Sequence, residues 1–200
     1  MNIVISGVGG QGTLLAARAI AEAAICKGFE VRTSETIGMA QREGSVVSHV
    51  RLGHNLNGAL IPDHKADILL GFELAETVRA IGKLKPGGVI ISNTHRIMPV
   101  SVSLGSAGYR SDKMISSLAQ ATDRLILLDA TQAASKAGGY KSANVVLLGV
   151  LSGLPELPFH PADLWQAIMQ HVSPRTRQIN QAAFELGQRI IAENRNTVSG

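Results

Sequence analysis

NIVIS, Asn2 to Ser6, is followed directly by GVGGQG, Gly7 to Gly12, and this junction decides the fold. The first stretch is apolar and rich in β-branched residues, which predicts a buried strand. The alanine-rich segment Thr13 to Cys26 then predicts a helix. A strand, a glycine-rich turn and a helix form the first βα unit of a Rossmann-type domain. Such glycines leave space for a phosphate, and free N–H groups at the helix start favour an anion, although a tight turn alone would also need glycine.

Length and composition indicate one domain with a large apolar core. The chain has 200 residues, 45% of them hydrophobic, and a mean hydropathy of +0.15. This content fits a sheet buried on both faces, surface covered by partner subunits, or both. No apolar run approaches the roughly 20 residues of a membrane helix, and the N-terminus lacks the signal-peptide pattern. We therefore expect a soluble, cytoplasmic protein that does not associate with membranes.

Residue counts disfavour several kinds of site. Cys26 is the only cysteine, so the chain can form neither an internal disulfide nor a four-cysteine iron–sulfur ligand set. The six histidines show no paired spacing, and we assign no metal. The formal net charge is +4, the basic residues are dispersed and aromatics make up only 4% of the chain, so we expect no nucleic-acid partner.

Apolar runs alternate with turns and helical segments along the rest of the chain. Further strands are predicted at Phe29–Thr33, Val46–Leu52, Asp67–Gly71, Gly88–Ser92 and Arg124–Asp129. Helices are predicted at Glu73–Leu84 and Lys113–Ala121, and helix is favoured over strand at Ala143–Leu151. This alternation predicts an α/β fold, a Rossmann-like three-layer sandwich with a mainly parallel sheet, in a single domain over residues 1–200.

Local signals place a turn and a last helix. Pro86-Gly87-Gly88 predicts a turn before the strand that follows it. Ser173 suits an N-cap and Pro174 the first helical position. The helix after them carries one apolar stripe, made of Ile179, Ala182, Ala183, Leu186 and Ile190.

The segment after the second predicted strand departs from a dinucleotide-binding domain. Glu35 stands about where such a domain places its ribose-binding acid. However, Thr36 to Ser45 is a polar, glycine-bearing loop instead of a crossover helix. His49 follows in the next strand, where a lone histidine is more often a packing residue than a catalytic one.

Three stretches together resemble the gamma subunit or domain of 2-oxoacid:ferredoxin oxidoreductases. They are GVGGQGTLLAARAIAEAA, TSETIGMAQREGSVVSHVRLG and INQAAFELG, which begin at Gly7, Thr33 and Ile179. The middle stretch, and NTHRIMPVSVSLG from Asn93, look most like the indolepyruvate:ferredoxin type. ANVVLLGVL, from Ala143, is similar to the family's asparagine followed by an apolar helix.

The resemblance implies that this chain is one subunit of a larger enzyme. Family members oxidise a 2-oxoacid with coenzyme A to an acyl-CoA and carbon dioxide and reduce ferredoxin, and an arylpyruvate such as indolepyruvate is the implied substrate. Thiamine diphosphate performs the carbon–carbon cleavage, and it and the iron–sulfur clusters are held by partner subunits. The gamma part closes the active site and contributes to the coenzyme A environment.

The resemblance implies a role for each residue that matches the family's motifs. Backbone N–H groups of the first motif would face a coenzyme A phosphate, and the second motif would supply a loop beyond a strand end. Arg42 would pair with a phosphate or carboxylate, and Glu35 would hold the loop; alternatively the two pair with each other and fix the loop against a neighbouring subunit. The cofactor-binding candidates are Gly7, Gly9, Gly10, Gln11, Gly12, Thr13, Ser34, Gly38, Met39 and Gln41.

Other functions stay open at this point. Glu43 stands where the family has glycine, and its negative charge counts against phosphate binding by the loop. A separate NAD(P)-dependent oxidoreductase could use the glycine turn and Glu35, although the chain lacks a Tyr-x-x-x-Lys constellation. A chain without catalytic residues could also serve only as a structural cover for its partners.

Arg42→Ala separates the two roles of this arginine. If Arg42 binds coenzyme A or the 2-oxoacid, the substitution weakens the apparent affinity for that ligand by roughly 1.5–3 kcal/mol and leaves assembly intact. If it instead pairs with Glu35, then Glu35→Ala has a similar effect and the double variant is little worse than either. Titration of each ligand into the assembled enzyme distinguishes these results. Unchanged affinities with weaker subunit association would place Arg42 at an interface.

Overall fold

The protein is described by a computed structural model over residues 1–36, 44–95 and 110–198. Its strands are β1 (Asn2–Val8), β2 (Glu30–Thr36), β3 (Ser45–Gly53), β4 (Ala66–Gly71), β5 (Leu84–Asn93) and β6 (Leu125–Leu128). Its helices are α1 (Thr13–Ile25), α2 (Leu74–Arg79), α3 (Ser111–Ala121), α4 (Ala130–Lys136), α5 (Ala143–Ser152), α6 (Pro161–His171) and α7 (Arg177–Val198). Three short 3₁₀ turns lie at Ile81–Lys83, Tyr140–Ser142 and Pro174–Thr176. None of the helices in these ranges is both long and apolar enough to cross a bilayer.

The strands form one sheet in the order β2-β3-β1-β4-β5-β6. β1, β4, β5 and β6 are paired in parallel, whereas β3 is antiparallel to both of its neighbours, β1 and β2. β3 is therefore the one reversed strand of this sheet. The prediction of a mainly parallel sheet is confirmed.

The reversal of β3 follows from the short loop before it. A parallel return to the sheet needs a crossover of a dozen or more residues, but fewer than ten residues separate β2 from β3. In the resulting register Thr36 lies opposite Val47, and Ser45 lies opposite Val8. Both ends of the polar loop are thus at the carboxyl end of β1.

Helices cover both faces of the sheet. Ile3 and Ile5 of β1 pack with Ile20 and Val146 in the larger core, on the face that carries α1 and α4 to α7. Val4, between them, points to the opposite face and belongs to a smaller core with residues of α2 and α3. This arrangement confirms the three-layer sandwich.

Helices α5 and α7 pack in close backbone contact. Gly149 and Gly187 meet with their backbones, and a side chain on Gly187 would collide with the carbonyl oxygen of Val146. Likewise, a side chain on Gly149 would collide with the carbonyl oxygen of Phe184. The helix predicted at Ala143–Leu151 is confirmed, and the small residue at 149 allows this close approach.

Two predicted boundaries around β5 are wrong. The helix expected to run to Leu84 ends at Arg79, and Leu84 begins β5 after a 3₁₀ turn. Pro86-Gly87-Gly88 lies inside β5 and does not precede it. There the pairing with β4 shifts register between Ala66 and Ile68, which accommodates Gly87 at a φ of 72°.

The last helix begins later than the sequence predicts. Pro174 begins the preceding 3₁₀ turn, and Ser173 stands just before it with its hydroxyl 3.1 Å from Thr176 Oγ1. Ala183 of the predicted stripe is fully buried and the rest of the stripe is half-buried. The buried face of α7 is therefore displaced from the predicted stripe. Its buried residues are Asn180, Ala183, Phe184, Gly187 and Ile191.

His49 is a packing residue of the smaller core. It is only 4% exposed, and its Nδ1 accepts a hydrogen bond from the Ile61 N–H at 3.3 Å, so this ring nitrogen is unprotonated. Burial lowers the pKa of His49 below its usual 6.5, and the nearby positive charge of Lys83 lowers it further. The interpretation of His49 as a packing histidine fits this environment.

We expect His49 to make the fold sensitive to acid. Below about pH 6.5 the unfolded chain binds a proton at His49 that the folded chain excludes, so the free energy of unfolding falls by up to about 1.4 kcal/mol per pH unit. His49→Asn keeps an acceptor for Ile61 without this titration. Urea unfolding at pH 7.5 and pH 5.5 should show a larger loss for the parent chain than for the variant. Equal losses would mean that His49 is protonated in the fold.

Candidate functional site

A cavity of about 490 Å³ opens beyond the carboxyl ends of β1, β4 and β5. This is where ligands bind in open α/β sheets. Its volume lies within the usual range of small-molecule sites. The residues that line it include Gly10, Gln11, Asn93, Tyr140, Lys141 and Asn144.

The Gln11 side chain ties the glycine turn to the neighbouring strand. Its Oε1 accepts a hydrogen bond from the Val8 N–H at 2.7 Å, and its Nε2 donates to the Phe72 carbonyl oxygen at 3.0 Å. Phe72 directly follows β4, and its own N–H donates to the Ser6 carbonyl at 2.7 Å. Gln11 therefore shapes the cavity wall.

Asn93, at the end of β5, binds the same carbonyl from the other side. It is 2% exposed, and its Nδ2 donates to the Phe72 oxygen at 3.2 Å. Its Oδ1 accepts from the N–H groups of His95 at 3.1 Å and Ala130 at 3.0 Å. We call the Gln11 and Asn93 side chains, joined through the Phe72 oxygen, the carboxamide clamp. The clamp fixes the strand ends and the start of α4 relative to one another.

Two positions in the glycine turn require glycine. Gly10 has a φ of 90° and Gly12 a φ of 84°, in the left-handed region that side chains disfavour. Within the described ranges, no hydrogen bond engages the N–H groups of Gly10, Gly12 and Thr13. This matches the expected role of the first motif, whose cofactor contacts remain a prediction.

The cavity is suited to an anion. The first turn of α1 and that of α5 contain no acidic residue, and neither N-cap residue, Gly12 or Ser142, supplies a capping side chain. Among the residues that the structure describes, the cavity lining includes Lys141 and no carboxylate. Two helix dipoles and the Lys141 ammonium therefore favour an anion in this space.

Asn144 is a site residue to which sequence analysis assigned no role. It is 8% exposed, and it covers Gly12 so closely that a side chain at that position would be 2.5 Å from Asn144 Nδ2. Its Oδ1 accepts from the Val145 N–H at 3.0 Å. In the part of the chain that the structure describes, Nδ2 has no hydrogen-bond partner and is available to a ligand. The asparagine before an apolar helix was the available signal.

The polar loop returns to the glycine turn. The Gly9 N–H donates to the Gly44 carbonyl at 2.9 Å, so the end of the loop at Gly44 lies beside the glycine turn at the carboxyl end of β1. The Ser45 hydroxyl, next in the chain, donates to a carboxylate oxygen of Glu76 at 2.5 Å. Four predicted site residues, Gly38, Met39, Gln41 and Arg42, lie outside the described residues.

Ser34 and Glu35 lie farther from the glycine turn. Glu35 is opposite Ser48 of β3, which is opposite Ile5 of β1, and Ser34 is opposite His49. The inserted β3 therefore puts Glu35 two strand spacings, roughly 10 Å, from β1. Whether Glu35 pairs with Arg42 or touches a ligand remains a prediction.

Metal-binding groups do not converge in residues 1–36, 44–95 and 110–198. These ranges hold no cluster of three or more His, Cys, Asp or Glu side chains that could bind an ion. Cys26 is exposed just beyond α1. An iron–sulfur cluster does not fit this donor set.

Comparison with known proteins identifies the sequence relatives. The model of the pyruvate ferredoxin/flavodoxin oxidoreductase family matches residues 2–190. The chain is 41% identical over 194 residues to the indolepyruvate oxidoreductase subunit IorB of Thermococcus kodakarensis, and the alignment covers 96% of each chain.

Solved structures share the fold. A gamma subunit of a keto/oxoacid ferredoxin oxidoreductase from Geobacter sulfurreducens matches with a TM-score of 0.70 and 23% identity, over 96% of this chain and 98% of that one. A 2-oxoglutarate:ferredoxin oxidoreductase from Magnetococcus marinus, with 2-oxoglutarate, coenzyme A and succinyl-CoA bound, matches with a TM-score of 0.72 and 20% identity, over 96% of this chain and 31% of that one. In the second protein the fold is one part of a longer chain.

Removal of the clamp should destabilise the protein. Asn93→Leu leaves the N–H groups of His95 and Ala130 without their acceptor, at about 1–3 kcal/mol each, so we expect a loss of at least about 2 kcal/mol. Asn57→Leu, at an exposed asparagine, is the matched control. Urea unfolding measures both. Equal unfolding midpoints for the two variants would show that the clamp does not stabilise the fold.

Proposed function

Because the chain belongs to the pyruvate ferredoxin/flavodoxin oxidoreductase family and is a subunit of a 2-oxoacid:ferredoxin oxidoreductase, we propose that it binds the phosphate-bearing end of coenzyme A. The observation that carries this proposal is the cavity between the starts of α1 and α5, with Lys141 at its rim. Coenzyme A is a polyanion that such a site would attract.

The proposed reaction is the oxidative decarboxylation of an arylpyruvate such as indolepyruvate. The Thermococcus relative, an indolepyruvate oxidoreductase subunit, supports this choice through its 41% identity over 96% of the chain. Products would be an acyl-CoA, carbon dioxide and reduced ferredoxin. The side chain of the 2-oxoacid would be selected mainly by residues of the partner.

Redox chemistry would take place on partner subunits. A chain with one cysteine cannot supply the four thiolates of an iron–sulfur cluster. Thiamine diphosphate on a partner would supply the carbon–carbon cleavage. Within this assembly the present chain binds and orients coenzyme A, and ferredoxin would dock on the complex.

The polar loop would close the active site over the bound substrates. Its end at Gly44 is fixed beside the glycine turn by the Gly9 to Gly44 hydrogen bond, at the carboxyl end of β1. Arg42 in this loop would approach a phosphate or carboxylate, and Glu35 at the end of β2 would hold the loop in place. A domain of this type spanning residues 1–200 would thus form one wall of a shared active site.

The alternative function, a separate NAD(P)-dependent oxidoreductase, has less support than coenzyme A binding. A dinucleotide-binding domain places the ribose-binding acid on the strand beside β1, with the glycine turn close to it. Here the antiparallel β3 occupies that place, and Glu35 is one strand farther away. The geometry therefore favours a phosphate site without a ribose-binding acid.

Substitution of Lys141 tests the proposed anion site. In the enzyme assembled with its partner subunit, Lys141→Ala should raise the KM for coenzyme A about three- to tenfold, a modest effect because the exposed ammonium is screened by solvent. The KM for the 2-oxoacid should not change. Lys136→Ala, an exposed lysine at the end of α4, is the control. Steady-state reduction of a viologen dye measures both constants.

Three results would contradict the proposal. An unchanged coenzyme A KM in Lys141→Ala would remove the lysine from the site. An effect on the 2-oxoacid KM alone would move the cavity to the other substrate. Activity of the chain without its partner would contradict the division of chemistry between subunits.

A further inference from the structure

The turn that follows β3 contains the only Asn-Gly pair of the chain, Asn57-Gly58. Both residues are exposed, and Gly58 has a φ of 73°. Arg51, near the end of β3, lies opposite Asn2 in the sheet, so this turn stands at the amino end of β1. The cavity suited to an anion opens at the carboxyl ends of the parallel strands. The turn therefore lies outside the site of the proposed function.

The guanidinium of Arg51 holds the backbone of this pair. Its Nη1 donates to the Asn57 carbonyl oxygen at 2.6 Å and to the Gly58 carbonyl oxygen at 3.0 Å. Its Nε donates to Asn2 Oδ1 at 3.2 Å, which fixes the guanidinium beside the turn. A positive charge thus lies against the oxygen of the peptide group that joins Asn57 to Gly58.

The two groups of this pair that can react with each other are free. Among the residues that the structure describes, neither the Asn57 side chain nor the Gly58 N–H makes a hydrogen bond. Glycine has no side chain to hinder an approach to its nitrogen. The Asn57 carboxamide can therefore reach the nitrogen of the next residue and close a five-membered ring.

The hydrogen bond from Arg51 makes the Gly58 N–H more acidic. When a peptide N–H loses its proton, resonance shares the negative charge between the nitrogen and the carbonyl oxygen of the same peptide group. Here that oxygen belongs to Asn57 and accepts from Arg51. A cation that bonds to the charged form of a group favours that form. Arg51 therefore promotes loss of the Gly58 proton.

We propose that Asn57 is a site of spontaneous deamidation and that Arg51 promotes the reaction. Hydroxide removes the Gly58 N–H proton, and the nitrogen attacks Asn57 Cγ. The bond between Cγ and the amide nitrogen breaks, ammonia leaves with a proton taken from water, and a succinimide remains. Water then opens the ring at either carbonyl, which gives aspartate or isoaspartate at position 57. Nothing is oxidised or reduced.

The products change the charge and the backbone of the turn. Each of them adds one carboxylate, so the formal net charge of the chain falls from +4 to +3. The new carboxylate would lie near the Arg51 guanidinium, which already bonds to the backbone of this residue. In isoaspartate the chain runs through the side-chain carbon, which adds a methylene group to the backbone of the turn.

The other charged groups around the turn are engaged elsewhere. Glu30 of β2 pairs with Arg32 Nη2 at 2.8 Å. The His54 ring stacks on Phe29, with ring centroids 5.8 Å apart. Arg51 is the cation that contacts the reacting peptide group. We therefore expect the rate to follow the hydroxide concentration and the charge at position 51.

Peptide mass spectrometry of the full chain, after incubation at pH 8, measures deamidation at each asparagine. Asn57 should be converted first, and Asn55, which is exposed in the same turn but followed by leucine, should stay intact. An increase of one pH unit should speed the conversion up to about tenfold, in proportion to hydroxide. Asn57→Gln should abolish it, because the longer side chain would have to close a six-membered ring.

Arg51→Gln tests the role of the guanidinium. In the folded chain it should slow the conversion of Asn57 about three- to tenfold, a limited effect because the guanidinium is only half-buried. Arg51→Lys, which keeps the charge, should recover part of the rate. Arg18→Gln, at an exposed arginine of α1, is the control and should leave the rate unchanged. In urea the contact is lost, so the parent chain and Arg51→Gln should react equally fast.

Two results would overturn the proposal. Asn57 that stays intact in the folded chain, while the chain in urea is converted, would show that the fold protects the pair. Equal rates in the folded parent, Arg51→Gln and Arg51→Lys would show that Arg51 does not act on it. Neither result bears on the proposed function, because the turn lies at the opposite edge of the sheet from the cavity. Asn57→Gln should accordingly leave the coenzyme A KM of the assembled enzyme unchanged.

Discussion

The architecture of the site depends on one backbone oxygen, the carbonyl of Phe72. It accepts hydrogen bonds from Gln11 Nε2 at 3.0 Å and from Asn93 Nδ2 at 3.2 Å. These two carboxamides also bind the N–H groups of Val8 and Ala130 at their other ends. One oxygen thereby links the glycine turn, the end of β4, the end of β5 and the start of α4. Since parallel strands have no hydrogen bonds beyond their ends, side chains must supply this connection.

The clamp explains why a chain without an evident catalytic group has a well-formed cavity. With the strand ends fixed, the starts of α1 and α5 converge on one space, whose lining within residues 1–36, 44–95 and 110–198 carries no carboxylate. The antiparallel β3 has a complementary effect, because it returns the polar loop to the same edge of the sheet and separates β2 from β1. The result is a cavity suited to the anion binding that we propose.

The sequence predicted the fold class, the first βα unit and the mainly parallel sheet, since these follow from local patterns of apolar residues and glycine. It failed where tertiary pairing decides: Leu84 joined β5 because Ala66 of β4 is available to pair with it. Helices α4 and α6 also escaped prediction. The sequence marked Asn144 only as an asparagine before an apolar helix, because its place in the site depends on how α5 packs over Gly12.

A structure of the assembled enzyme with coenzyme A bound, determined by cryo-electron microscopy, tests the central claim most directly. The account predicts coenzyme A phosphates within hydrogen-bond distance of Lys141 and of the glycine turn, at the starts of α1 and α5. Phosphates held entirely by partner subunits, with a partner side chain filling this cavity, would contradict it.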